Sequence, residues 1–252
     1  MKPFIGIMER PEKTRGGNDV TVMYDHVRSV VVKMGGIPIG ISAPTPMTYV
    51  DRGFMDVRNM NPFEIEDLKA IIDLCSGVIF PGGDQVLDYD LKAMEYCYQN
   101  QIPTLGICLG MQTMGYLFGG EIELVRKSEI EHRLKKTEYA HPVRIKKDSK
   151  LYQIVKKEVI RVNSFHKSQV VHPKLDGTAY APDGVLEAIE CKKHPFFIGV
   201  QWHPESMFTY DMVSQKLFQS FFESVKKRVA HETFGSITNC FRDSNCGENN
   251  EC

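Results

Sequence analysis

The residues best suited to chemistry surround a single cysteine, Cys108. An apolar segment, residues 102–107, runs directly into this cysteine, and residues 109–117 have helical spacing. Gly106 and Gly110 flank the thiol in a Gly-x-Cys-x-Gly pattern. This pattern is typical of a nucleophile elbow, because a strand that turns sharply into a helix leaves no room for side chains two positions either side. A helix N-terminus favours negative charge, so the thiol is expected to ionise more easily than a free cysteine. The alternative is a buried structural cysteine between two turn glycines.

A cysteine nucleophile needs a base, and the base needs an orienting group. Residues 196–200 are predicted to form a strand that ends at the sequence Gln-Trp-His-Pro-Glu. Functional residues of open α/β sheets collect at the carboxyl ends of strands, so His203 is expected to meet Cys108. Pro204 fixes the backbone so that Glu205 can fold back on the imidazole. The sequence predicts a Cys-His-Glu triad, against the alternative of a hydrogen-bonded histidine at a strand end.

A third predicted strand, residues 78–80, ends at Pro-Gly-Gly-Asp. Its glycines allow backbone N–H groups to approach a ligand closely. The N–H groups of Gly83 and Leu109 are therefore the predicted oxyanion hole, and Gly82 is a candidate substrate-binding residue. Read alone, the same four residues are compatible with an ordinary turn.

Composition limits the classes of partner. The 252 residues carry 31 basic and 32 acidic side chains, a net charge of −1, so no global field attracts nucleic acid or an anionic membrane. The expected partner is a small molecule. No apolar run approaches the roughly 20 residues of a membrane span, and the N-terminus turns polar too early for a signal peptide. Seven scattered cysteines, an odd number, suit a reducing compartment, so a cytoplasmic location is expected.

The alternation of short apolar strands and helical stretches predicts an α/β fold, with a mostly parallel sheet flanked by helices on both faces. In the first half we expect strands at 4–7, 37–41 and 78–80 and helices at 19–34 and 64–74. In the second half we expect additional strands at 141–146, 158–163, 186–191 and 196–202, closed by a helix at 211–229. Two connections lack clear periodicity: residues 43–62, a candidate functional connection, and residues 121–149, a charged and irregular surface excursion.

One domain is expected over residues 1–230, followed by a polar tail over 231–252. The tail contains Cys240, Cys246 and Cys252, whose spacing matches no common zinc pattern. A disordered or loosely docked tail is favoured over a metal site there.

Three separated motifs together carry a family resemblance. Residues 81–83 (Pro-Gly-Gly), 106–112 (Gly-Ile-Cys-Leu-Gly-Met-Gln) and 199–205 (Gly-Val-Gln-Trp-His-Pro-Glu) resemble, in this order, the class I glutamine amidotransferase superfamily. Residues 162–166 and 181–188 add a closer resemblance to the bacterial gamma-glutamyl-gamma-aminobutyrate hydrolases of the C26 peptidase family. The likeness covers about residues 4–225 and implies a flavodoxin-like sheet.

The resemblance assigns Cys108 as nucleophile, His203 as base and acid, and Glu205 as the orienting carboxylate, the roles already inferred from the residues. It further implies that a glutamyl head group is held by Gln112, Asn163, Ser164, Phe165 and His166. Polar groups at these places suit the amine and carboxylate of such a head group. The alternatives are an exposed helix residue for Gln112 and a solvated strand end for His166. Relatives also place a histidine in the irregular excursion, where this chain has His132-Arg133.

The resemblance implies a stand-alone hydrolase that cleaves gamma-glutamyl amides through a glutamyl-thioester, with no metal or organic cofactor. Leu109 departs from the pattern of the gamma-glutamyl-aminobutyrate hydrolases, which often have arginine after the nucleophile, whereas amidotransferase domains commonly have leucine there. The identity of the leaving amine therefore stays open. Two alternatives remain. The chain could be a glutaminase subunit that supplies ammonia to a separate synthetase partner, or a non-catalytic binding protein of the same fold. Many relatives dimerise, but no isolated apolar stripe identifies a homodimer interface.

Overall fold

A nine-stranded sheet forms the centre of the computed structural model, which describes residues 2–44, 55–56, 60–126, 129–134 and 137–243. The strands are β1 (Phe4–Met8), β2 (Arg10–Lys13), β3 (Asp19–Val22), β4 (Ile37–Ile41), β5 (Met55–Asp56), β6 (Gly77–Phe80), β7 (Val86–Leu87), β8 (Thr104–Ile107), β9 (Glu121–Leu124), β10 (His141–Ile145), β11 (Val159–Val162), β12 (Ser168–Val171), β13 (Asp176–Tyr180), β14 (Leu186–Glu190) and β15 (Phe197–Val200). The helices are α1 (Asp25–Lys33), α2 (Pro62–Asp73), α3 (Asp88–Gln99), α4 (Leu109–Leu117), α5 (Lys150–Val155), α6 (Pro204–Met207) and α7 (Met212–Asp243).

The central sheet has the strand order β11-β10-β13-β14-β15-β8-β6-β1-β4. Every pairing from β4 to β15 is parallel, and every pairing from β15 to β11 is antiparallel. The antiparallel strands come from the second half of the chain, where additional strands are expected; their antiparallel direction was not predicted. Strands β6, β8 and β15 lie side by side, so their carboxyl ends meet at one edge of the sheet.

Helices cover both faces of this sheet, as the α/β prediction requires. One face packs against α1, α5 and α7, whose buried residues include Val31, Leu151 and Phe221. The opposite face packs against α2, α3 and α4, with Leu68 and Met94 among the buried side chains. The apolar runs of the central strands are explained by this arrangement, because a sheet covered on both faces has no solvent-facing side.

The predicted helix at 19–34 begins only at Asp25. Residues Asp19–Val22 instead form β3, which pairs with β2 in an antiparallel hairpin. The alternation of two valines with polar residues in this segment favours a strand, and the prediction extended the helical pattern across it.

The expected irregular excursion at 121–149 is wrong at β9, which pairs with β12. The strand predicted at 141–146, within the same range, is confirmed as β10, whose first residue, His141, is buried. Helices α3 and α5 and strands β12 and β13 were also missed. Of the 43–62 connection, residues 45–54 and 57–59 lie outside the described residues.

Helix α2 begins with a complete capping box, in which Asn61 and Glu64 bond reciprocally to each other's backbone N–H groups.

Helix α7 continues across the predicted boundary at residue 230 to Asp243, and residues 244–252 of the predicted tail lie outside the described residues. Within the described ranges, no helix is both long enough and apolar enough to span a membrane.

Candidate active site

Cys108 lies at a sharp turn between β8 and α4. Its backbone has φ 53° and ψ −103°, a left-handed φ that residues with side chains rarely adopt. A Cβ at Gly106 would lie 2.7 Å from the carbonyl carbon of Gly110, and a Cβ at Gly110 would collide with the carbonyl oxygen of Phe80. Both glycines are therefore required by close packing, the reason for which the elbow was predicted.

His203 follows β15 and faces the same sheet edge. Its Nδ1 lies 2.7 Å from Oε1 of Glu205. The backbone of His203 is held on both sides by the Asn163 amide: Nδ2 donates to the His203 carbonyl at 2.9 Å, and Oδ1 accepts from the His203 N–H at 2.8 Å. The histidine is 2% exposed, so its orientation is fixed by these contacts rather than by solvent.

The electrostatics of His203 favour its charged form. Burial lowers the pKa of the imidazole, but the negative charges of Glu205 and Cys108, together with hydrogen bonds to both, outweigh burial and raise the pKa to about 9. An imidazolium stabilised by a carboxylate on one side and a thiolate on the other is the arrangement that an activated cysteine needs.

The Pro81-Gly82-Gly83 loop after β6 lies directly against this pair. A Cβ at Gly82 would lie 2.9 Å from Cε1 of His203 and 3.6 Å from Cβ of Cys108. A Cβ at Gly83 would lie 2.8 Å from a methyl group of Leu109. The absence of side chains therefore lets this backbone lie close to Cys108 and His203. The assignment of the Gly83 and Leu109 N–H groups to an oxyanion hole stays a prediction.

A buried ion pair between Arg10 and Asp90, which was not predicted from the sequence, binds the Pro81-Gly82-Gly83 loop. Arg10 Nη1 donates to both carboxylate oxygens of Asp90, at 2.7 and 2.8 Å. The same guanidinium donates from Nε to the Gly82 carbonyl at 3.1 Å and from Nη2 to the Pro81 carbonyl at 3.0 Å. Burial lowers the pKa of Arg10, but the Asp90 charge, its hydrogen bond to Arg10 and the neighbouring tyrosines Tyr89 and Tyr24 together outweigh burial and raise the pKa, so the group stays charged.

A cavity of about 220 Å³ opens above Cys108 and His203. Four of the predicted substrate-binding residues line it, namely Gly82, Gln112, Phe165 and His166. Its charged lining comprises Asp84, Arg133 and Lys167. A small cavity with both signs of charge suits a small zwitterionic group.

The other two predicted substrate-binding residues, Asn163 and Ser164, are fully buried and are not among the residues that line the cavity. Asn163 positions the His203 backbone, and the Ser164 hydroxyl donates to the carbonyl of His132 at 3.0 Å. The Gln112 amide is also buried, since it donates to the Ser168 carbonyl at 2.9 Å and to the Gln201 side chain at 3.1 Å. Gln112 is therefore not an exposed helix residue.

His132 and Arg133, the pair in the excursion, are oriented differently. Arg133 lines the cavity, and its guanidinium lies over the Phe165 ring at 5.6 Å from the centroid. His132 is 5% exposed and is not among the residues that line the cavity; its Nε2 lies 2.9 Å from Asp183 Oδ2.

Comparison with known proteins is consistent with this geometry. The Peptidase C26 family model matches residues 88–205. The gamma-glutamyl-gamma-aminobutyrate hydrolase PuuD of Escherichia coli K12 is 32% identical over 262 residues, which cover 91% of this chain and 96% of the relative. Protein NtpR of Enterococcus hirae is 29% identical over 245 residues, covering 88% of this chain and 98% of the relative.

The glutaminase domain of Trypanosoma brucei CTPS, solved with bound acivicin, has the same fold. The TM-score is 0.63 at 18% identity, covering 90% of this chain and 94% of that domain. The family is shown by the 32% identity to PuuD, which is aligned over 96% of its length. The chain therefore belongs to the peptidase C26 family, within the class I glutamine amidotransferase superfamily, and is a glutamine amidotransferase-like hydrolase.

Proposed function

We propose that this protein hydrolyses gamma-glutamyl amide bonds of small molecules through a glutamyl-thioester on Cys108. The observation that carries the proposal is the convergence of Cys108 with the hydrogen-bonded His203–Glu205 pair on one small cavity. A cysteine hydrolase needs three groups: a nucleophilic thiol, a base beside it and a carboxylate that orients the base.

The reaction proceeds in two halves. Cys108 Sγ transfers its proton to His203 and attacks the amide carbonyl, whose oxygen accepts from the N–H groups of Gly83 and Leu109. His203 then donates the proton to the leaving amine, and the C–N bond breaks to give the thioester. In the second half, water gives a proton to His203 and attacks the thioester, the C–S bond breaks, and the thiolate regains that proton as glutamate leaves.

The charges of the cavity fit a glutamyl head group. Its α-carboxylate would pair with Arg133 or Lys167, and its α-ammonium with Asp84, because these three side chains line the same cavity. The Gln112 and His166 side chains complete this wall. The name of the 32%-identical relative specifies gamma-glutamyl-gamma-aminobutyrate, which makes a short aliphatic amine the favoured leaving group.

A second candidate is a glutaminase subunit that feeds ammonia to a separate synthetase. It is favoured by Leu109, the residue that amidotransferase domains commonly carry after the nucleophile, and by the shared fold with a glutaminase domain. This candidate predicts weak activity of the isolated chain towards glutamine alone. A binding protein of the same fold predicts no turnover of any substrate.

Glutamate release from a panel of gamma-glutamyl amides distinguishes these candidates. The panel contains gamma-glutamyl-gamma-aminobutyrate, a gamma-glutamyl polyamine, a gamma-glutamyl dipeptide and glutamine. We expect kcat/KM for one amide to exceed that for glutamine by about 100-fold or more, since a pocket that binds the leaving amine contributes a few kcal/mol. Slow release from glutamine alone would instead support the glutaminase subunit.

The pH dependence of the reaction follows from the raised pKa of His203. The imidazolium is the acid that protonates the leaving amine, so kcat/KM is expected to fall as the pH rises through about 9. The Glu205 charge is the largest effect that raises this pKa. Replacing Glu205 by glutamine should therefore move the basic limb of the profile towards neutral pH. A basic limb that stays in place in this variant would contradict the assigned pairing.

A further inference from the structure

Three histidines and one glutamate form a buried cluster behind the cavity wall: His132, His141, His166 and Glu187. All four are at most 6% exposed. They come from four separate segments, namely the stretch before β10, the first residue of β10, the loop between β11 and β12, and β14. Of these four residues, the proposed mechanism uses only His166, which lines the cavity. The burial of the other three beside it has no role in that mechanism.

The outer nitrogen of each imidazole is already bonded to an acceptor. His132 Nε2 lies 2.9 Å from Asp183 Oδ2, His141 Nδ1 lies 3.2 Å from the Pro142 carbonyl, and His166 Nδ1 lies 3.0 Å from the Ser168 carbonyl. An acceptor at one ring nitrogen requires the proton there, so the other nitrogen of a neutral ring carries a lone pair. This is how outer carboxylates and carbonyls orient metal-ligating histidines.

The three remaining nitrogens all face one carboxylate oxygen. Glu187 Oε1 lies 3.6 Å from His132 Nδ1, 3.5 Å from His141 Nε2 and 3.8 Å from His166 Nε2. None of these nitrogens, and neither oxygen of Glu187, has a hydrogen-bond partner among the described residues. Buried polar atoms without hydrogen bonds are costly, and here three such nitrogens lie within 3.8 Å of one such oxygen, Glu187 Oε1.

The distances of 3.5–3.8 Å between Glu187 Oε1 and the three nitrogens are too long for hydrogen bonds. They are close to the distance between two ligand atoms that bind the same metal ion. Ligand atoms about 2.1 Å from a tetrahedral zinc ion lie about 3.4 Å from each other. The candidate ligand atoms of His132, His141 and Glu187 all lie within 4.8 Å of one another, so binding would contract the cluster slightly. We propose that His132, His141, His166 and Glu187 bind a divalent zinc-type cation in a structural site that fixes the rear wall of the cavity.

This assignment follows from the chemistry of the donors. Three neutral imidazoles and one carboxylate are a ligand set that zinc accepts in tetrahedral geometry, with no position left open for water. The ion would connect β10 and β14 to the loop that carries His166, one of the residues on the cavity wall. No metal is expected for the reaction itself, and a structural ion leaves the proposed reaction unchanged.

Metal content of the full chain tests the proposal. The background protein carries Cys108→Ala, Cys240→Ser, Cys246→Ser and Cys252→Ser, so that neither the candidate nucleophile nor the thiols near the C-terminus bind the ion. After EDTA treatment, loading with Zn²⁺ and dialysis, we expect about one zinc per chain by mass spectrometry of the metal. Loading with Co²⁺ should give the intense visible absorption of a tetrahedral site, without the thiolate charge-transfer band.

Matched variants locate the site. Glu187→Gln and His141→Gln should each lose the retained ion, and Asp183→Asn should weaken binding by about 10- to 100-fold by freeing the His132 ring. His194→Gln is the control, because His194 is another buried histidine, 1% exposed, outside the cluster. It should retain the ion.

Two results would overturn the proposal. One is a background protein that retains no zinc and shows no tetrahedral cobalt spectrum. The other is retention of the ion in Glu187→Gln at the level of the His194→Gln control. Because the cobalt spectrum is recorded with the cluster intact, the test does not depend on whether the variants fold.

Discussion

Replacing Cys108 by alanine is expected to lower the rate of glutamate release by about 10⁴-fold or more, with little change in the fold. Removal of a covalent nucleophile leaves only the contributions of the oxyanion hole and substrate binding. The Cys108 side chain is small, so its loss creates almost no cavity, and thermal unfolding should change little. The rate is measured on the amide that the panel identifies, with circular dichroism as the check on folding.

The matched control is Cys191→Ala. Cys191 is a free, partly buried thiol that does not line the cavity, so its loss should leave the rate unchanged. Loss of activity in both variants would indicate general damage to the protein. A Cys108→Ala protein with more than about a tenth of the original rate would exclude the thioester route.

Breaking the Arg10–Asp90 pair is expected to have the second-largest effect, on both stability and catalysis. Arg10→Met leaves the Asp90 carboxylate buried without its partner, which should reduce the free energy of unfolding by about 3–5 kcal/mol. The Pro81 and Gly82 carbonyls lose their donors in the same variant. The N–H of Gly83, the proposed oxyanion donor, is expected to lose its position as a result, so kcat should fall by about 10²- to 10³-fold.

A double variant, Arg10→Met with Asp90→Leu, separates the two effects. A buried ion pair replaced by apolar residues of similar volume is often neutral in stability, so most of the lost unfolding free energy should return. The low kcat should remain, because no donor is restored to the loop. Urea unfolding and kcat are measured on the same samples. A double variant with normal kcat would show that the pair serves stability alone.

The parts of the site that could be predicted lie within short motifs. The Gly-x-Cys-x-Gly elbow has a local steric cause, and His203 and Glu205 are two residues apart, so their hydrogen bond requires no knowledge of the tertiary structure. The shared sheet edge follows from strands that the apolar pattern identified correctly.

The missed parts depend on contacts between distant segments. Arg10 and Asp90 are 80 positions apart, so the sequence around either residue does not indicate its partner. Glu187 likewise lies in a strand whose five residues are all buried, where a charge gives no hint of the three histidines that face it. The role of Asn163 in holding the His203 backbone was hidden for the same reason.

The left-handed backbone of Cys108 also bears on how robust this protein can be. A residue with a side chain in such a conformation costs on the order of 1–3 kcal/mol, a sizeable share of the 5–15 kcal/mol that typically keeps a domain folded. Glycine would remove this cost and, with it, the thiol. Heat resistance and reactivity therefore compete at a single position, and selection for a more thermostable variant without selection for activity should favour loss of the cysteine itself.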